Sequence, residues 1–143
     1  MLPILSTVLT IFVITTTVTA STECVWATGK IACLKNQTLV VGATVELFDL
    51  DSPQNSRIKN PLDPDDKVAF TTVEDSDGIF SIEGCASDVD WIPGIKNLPE
   101  MYFRVFHYCN KPQGEYKTVL PIWRVFVPKT YDKHINDPII LDD

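Results

Sequence analysis

Histidine is almost missing from this chain. Only His107 and His134 occur in 143 residues, and neither sits in a ligand-spaced cluster with cysteine. No pair of cysteines has the two-residue separation of a zinc site either, so a structural zinc centre is disfavoured. General acid–base chemistry draws on a titrating group near neutral pH, and two scattered histidines offer little of it. No Ser–His–Asp order and no glycine-rich phosphate loop can be traced. Basic residues are scarce too: 12 Lys and Arg stand against 19 Asp and Glu, a formal net charge of −7. A nucleic-acid ligand calls for a clustered basic face, and the acidic balance argues against one. It also disfavours unaided docking on anionic lipid.

Long apolar runs are absent after residue 20. The one such run, "MLPILSTVLTIFVITTTVTA" at residues 1–20, carries no charged side chain. A membrane-spanning helix needs roughly 20 apolar residues. Here Thr7, Thr10, Thr15, Thr16, Thr17 and Thr19 interrupt the run, which makes it a poor span. Val18, Thr19 and Ala20 are small residues where a signal peptidase cuts. The run predicts a secretory signal peptide over 1–20, followed by a single domain over 21–143. The protein is therefore expected to be secreted into the extracellular region, with no membrane span.

What is present fits that setting. Cys24, Cys33, Cys85 and Cys109 predict two disulfides in an oxidising compartment, with three connectivities open. Asn36-Gln37-Thr38 is an N-x-T acceptor in a polar stretch, so a glycoprotein modified at Asn36 is expected.

Short β-branched and aromatic runs alternate with turn-rich segments, the pattern of an all-β sandwich. The expected strands are 25–33, 43–50, 67–73, 79–83, 101–109, 118–127 and 138–141. "DSPQNSRIKNPLDPDD" and "CASDVDWIPGIKNLP" read as loops. Within "VEDSDGIFSIEG", placing Gly78 at the sixth position of a calcium loop puts Asp75 and Asp77 at the third and fifth. Val73 and Gly84 then occupy the first and twelfth, where oxygen ligands are required. A hairpin turn with Gly78 at positive φ is the better reading. Asp75 and Asp77 remain a weak alternative metal site, joined at most by Asp63, Asp65 and Asp66; no metal or other cofactor is expected.

Several of these stretches, in this order, resemble the transthyretin-like protein family of nematodes. Gly29-Lys30-Ile31-Ala32-Cys33 is similar to its early G-x-x-x-C, and "VELFDLDS" to its V-x-L-x-D-x-D-T strand. "EDSDGIFSIEG" resembles T-D-x-D-G-x-F-x-L-x-G. "FRVFHYCN" is similar to L-K-I-Y-H-D-C, with Tyr108 where the family usually has Asp. "WRVFVPKTY" resembles W-x-I-x-I-P-x-x-Y, and Ile139-Ile140-Leu141 stands where the last strand should lie.

The resemblance implies a transthyretin or prealbumin-like β-sandwich of two antiparallel sheets with Greek-key connections. The sheets are lettered D-A-G-H and C-B-E-F. Under that topology the start of strand A lies beside the end of D, and the start of B beside the end of E. The implied disulfides are Cys24–Cys85 and Cys33–Cys109, each contributing up to roughly 4 kcal/mol by loop closure. One branch of the wider superfamily hydrolyses 5-hydroxyisourate. It uses a His near the start of strand A, an Arg in strand B and a second His partnered by a C-terminal Tyr-Arg-Gly-Ser. This chain has none of these at the matching places and ends "PIILDD". A non-enzymatic protein is expected. Transthyretin's own hormone channel requires a tetramer built from strands G and H. Here that region is reduced to Ile139-Ile140-Leu141 after Pro138, so the tetramer is not expected.

Alternation along strand E places Phe103, Val105, His107 and Cys109 on one face, which the implied disulfide turns inward. Tyr102, Arg104, Phe106 and Tyr108 then point outward, with Arg124 and Phe126 from strand F and Glu46 and Phe48 from strand B. Aromatic residues and Arg are enriched at protein interfaces. This face is the candidate binding site, and its expected partner is an extracellular or cell-surface protein or glycan. A carrier of a small apolar ligand is the alternative.

Overall fold

The computed structural model describes residues 20–51, 65–90, 92, 94–125 and 130–143. The expected signal peptide, Asp63 and Phe126 lie outside the described residues, apart from Ala20. Eight strands form two four-stranded sheets, and one short 3-10 turn at Gln37–Val40 is the only helical piece among the described residues.

The first sheet contains β1 (Ala20–Ala32), β4 (Ile79–Val89), β7 (Thr130–His134) and β8 (Ile139–Ile140). β1 is its centre. It pairs antiparallel with β4 from Ala20↔Val89 to Lys30↔Ile79, and parallel with β7 and then β8 along its other edge. The second sheet contains β2 (Thr44–Asp49), β3 (Asp66–Thr72), β5 (Glu100–His107) and β6 (Glu115–Arg124), in the order β3-β2-β5-β6 and antiparallel throughout.

Strand alternation builds the core. Val25, Ala27 and Ile31 from β1 and Phe80 and Ile82 from β4 face Val45 and Leu47 from β2 and Met101, Phe103 and Val105 from β5. Successive side chains of a strand point to opposite faces, so each run sends every second residue inward. Phe80 meets Phe103 edge to face across the two sheets, with ring centroids 5.7 Å apart.

Three segments differ from the sequence expectation. The "VEDSDG" turn does not close a hairpin. β3 pairs only with β2 and β4 only with β1, so the turn carries the chain from one sheet to the other. "CASDV", expected as loop, is the second half of β4, because the β1 register continues through Cys24↔Cys85 to Ala20↔Val89. Finally, β7 is a strand that the sequence reading passed over.

The two open sides of the sandwich are unlike each other. On the side of β3 and β4 the layers touch at Gly84, where a Cβ would come within 2.6 Å of Val68 Cγ1, and part beyond it around a polar cleft. On the side of β6 and β7 a cleft of about 130 Å3 remains between the layers.

Candidate functional site

The outer face of the second sheet is organised around Arg104. Directly opposed residues of paired strands share a face, so the registers Glu46↔Phe70, Glu46↔Arg104, Arg104↔Thr118 and Phe106↔Tyr116 set these side chains side by side. The Arg104 guanidinium is stacked between two rings, 4.4 Å from the centroids of both Phe48 and Tyr116. Its Nε donates to Glu46 Oε2 at 2.9 Å, and Lys67 Nζ donates to the other oxygen, Oε1. Burial alone would raise the Glu46 pKa. The hydrogen bonds and charges of Lys67 and Arg104 outweigh it and hold the carboxyl below its ordinary range.

Aromatic contacts extend the patch in both directions. Phe48 stacks on Tyr102 at 5.5 Å, and the Tyr102 hydroxyl donates to Asp65 Oδ2. Burial, and then the Asp65 carboxylate, push that phenol above its ordinary pKa. Phe106 packs against Tyr108 and Tyr116 at 5.2 and 4.9 Å.

The structure brings Glu46, Phe48, Tyr102, Arg104, Phe106 and Tyr108 together, but it does not expose them equally. Glu46, Phe48 and Tyr102 are buried on the outer face, because Lys67, Arg104 and Asp65 lie over them. The sequence reading treated all three as contact surface. They are instead the bed on which the exposed residues rest. Phe70, Tyr108, Tyr116 and Leu120 supply the exposed apolar surface. Phe70, Tyr116 and Leu120 were missed. β6 begins at Glu115, three residues before the expected start, and the alternation in "EYKTVL" was the signal that could have found Tyr116. Arg124 sits at the far end of the β5–β6 pair, where Glu100 Oε1 accepts from its Nε at 2.8 Å.

The cysteines divide into two pairs. Cys24 and Cys85 are opposed on β1 and β4 and form a disulfide. The implied Cys33–Cys109 bond is not formed: both are free thiols and buried. They lie close enough to hydrogen-bond each other, and burial, followed by the Cys33 contact, pushes the Cys109 thiol up to about 12. Cys33 Sγ is also drawn to Asp142 Oδ2 at 3.8 Å.

Asp75 and Asp77 are exposed in the inter-sheet turn, where Asp77 N–H donates to Asp75 Oδ1. Gly78 is required there. Its φ is +73°, and a Cβ would meet the Ile31 carbonyl oxygen at 2.2 Å. The one group of three carboxylates within 4.8 Å of one another, among the described residues, is elsewhere: Asp49, Asp51 and Asp88. Burial, and then the Asp88 charge, push Asp49 up to about 7, although Glu100 N–H donates to its Oδ1 at 2.9 Å. These three carboxylates could each offer an oxygen to a hard cation. A polar cleft of about 410 Å3 adjoins them, lined also by Asp66, Lys67 and Ser87.

Asn36 is exposed and caps the 3-10 turn, its Oδ1 accepting from both the N–H and the hydroxyl of Thr38. The histidines sit on different sheets. His107 is buried, and burial holds its pKa below the ordinary value. His134 is exposed, with Nδ1 2.7 Å from Thr28 Oγ1. Neither a scan against protein-family models nor a search of curated proteins finds a match to this chain.

Proposed function

We propose that this chain is a secreted, transthyretin-like sandwich that acts by binding an extracellular or cell-surface protein or glycan, without catalysis. The observation that carries the reading is the outer face of β3-β2-β5-β6, where exposed Phe70, Tyr108 and Tyr116 lie around the stacked Arg104. Contiguous exposed apolar surface marks interaction sites, and aromatic rings beside an Arg are the composition of binding hot spots. Such rings also stack on the apolar faces of sugars. The β3-β2-β5-β6 order supports the transthyretin-type reading through its C-B-E-F sheet, while β8 departs from it by pairing with β1. The Cys24–Cys85 bond fits an oxidising compartment, and the Asn36–Thr38 geometry leaves the acceptor amide at the surface for a glycan.

The test is binding of the purified oxidised protein to arrayed extracellular proteins and glycans, beside the double variant Phe70→Ser, Tyr116→Ser. Both side chains are exposed, so the variant should fold, which circular dichroism checks. The reading expects at least a tenfold loss of binding; equal binding by both proteins moves the function off this face. A second reading, a carrier of a small apolar ligand, is favoured by the cleft between β6 and β7. A 5-hydroxyisourate hydrolase-like activity is a distant third.

A further inference from the structure

We infer that the cleft between β6 and β7 is a binding site for a small apolar carboxylate. The inference rests on the carrier reading and gives it a ligand class.

The cleft opens where the two sheets part. Phe103, Val119, Leu120, Pro121, Trp123 and Ile135 form its apolar wall, and Lys133 and His134 complete it. Its volume of about 130 Å3 is close to that of the roughly 150 Å3 apolar cavity that takes up benzene. One aromatic ring or a short alkyl chain is therefore the size it accepts.

Lys133 gives the cleft a sign. Its Nζ lies 5.4 Å from the centroid of the Trp123 indole ring. Among the described residues no carboxylate pairs with Lys133; the same holds for Lys30, Lys35 and Lys96, but of these four only Lys133 lines the cleft. His134 Nδ1 is already engaged by Thr28 Oγ1. A cation without a carboxylate partner therefore borders an apolar cleft. A carboxylate supplies the missing charge to Lys133, while its hydrocarbon part covers Phe103 and Ile135. Placing the charge over an indole face also keeps the lysine beside an aromatic surface that favours cations.

The test is a titration of the intact secreted protein with 3-phenylpropionate and, separately, with its neutral counterpart 3-phenylpropan-1-ol. The indole N–H resonance of Trp123, identified by its loss in Trp123→Phe, reports occupancy. The expected result is a saturable shift with the carboxylate at least fivefold tighter than the alcohol, an advantage that Lys133→Met removes. Should that variant fold poorly, 0.5 M sodium chloride on the wild-type protein must weaken the carboxylate and spare the alcohol. Equal affinity for acid and alcohol overturns the inference and leaves an apolar carrier standing. No shift with either compound overturns both.

Discussion

Glu46 and Asp49 lie three residues apart on one short strand, both almost wholly buried, and they are treated in opposite ways. Glu46 points to the outer face, where Lys67 and Arg104 meet its two oxygens and hold it ionised. Asp49 points between the sheets, where Asp88 and Asp51 crowd it and its pKa rises to about 7. Burial penalises both charges alike; the sign of the neighbours decides which carboxylate keeps its proton. The pair separates a surface built to hold charge still from a site where charge is conditional.

Removing Glu46 should break the comparison most severely. Glu46→Ala removes the acceptor shared by two cations over Phe48, and a loss of about 2 kcal/mol is expected at pH 7. Urea unfolding measures it, and a change below about 0.5 kcal/mol would mean that the aromatic stack alone holds the face. Asp49→Asn should act in the opposite direction. A group whose folded pKa is raised stabilises fully below its unfolded value, near 3.8, and loses that contribution as pH climbs through about 7. The variant cannot ionise, so at pH 8 it should be the more stable protein by more than about 1 kcal/mol, and the gap should close toward pH 4. A gap that does not vary with pH would place the Asp49 proton elsewhere.

Glu46 has the reverse dependence. Its lowered pKa contributes above about 4.5 and is lost as pH falls further, and His107, also lowered, adds to that acid limb below about 6.5. Asp49→Asn keeps both of these groups, so the difference between the two proteins isolates Asp49. The smallest effect is expected from Lys67→Met. Its side chain is 47% exposed and Arg104 remains to hold Glu46, so about 0.5 kcal/mol should be lost. A loss as large as that of Glu46→Ala would make Lys67, not Arg104, the principal partner.

The same two residues show how far the sequence could be read. Period 2 divides "VELFD" and "MYFRVFH" into two faces each, and for β5 the implied Cys33–Cys109 pairing, not the period, said which of them turns inward. Alternation says which side chains share a face and nothing about what lies over them. The burial of Glu46, Phe48 and Tyr102 depends on Lys67 and Asp65, which arrive from a different strand and the segment before it. The Asp49 group is harder still. Asp49 ends β2, Asp51 lies two residues beyond it and Asp88 stands next to the end of β4, and only the packing of one sheet on the other joins them. β7 was missed because "TYDKH" is mixed in character, and its pairing comes wholly from β1. The resemblance to a family suggested the order of the second sheet, but not the thiols left free at Cys33 and Cys109.

β1 has one further consequence. It is the earliest strand to leave the ribosome and the centre of its sheet, yet every neighbour it pairs with comes much later in the chain. Ala27 waits for Ile82 on one edge and Lys133 on the other, and Leu34 just beyond the strand donates to Asp142, 108 residues later. Such distant pairings must be closed against chain entropy before they return any stability. While the chain is still emerging, this strand has one apolar face, Val25, Ala27 and Ile31, and both hydrogen-bonding edges bare, and it is there that a folding helper would have to hold on.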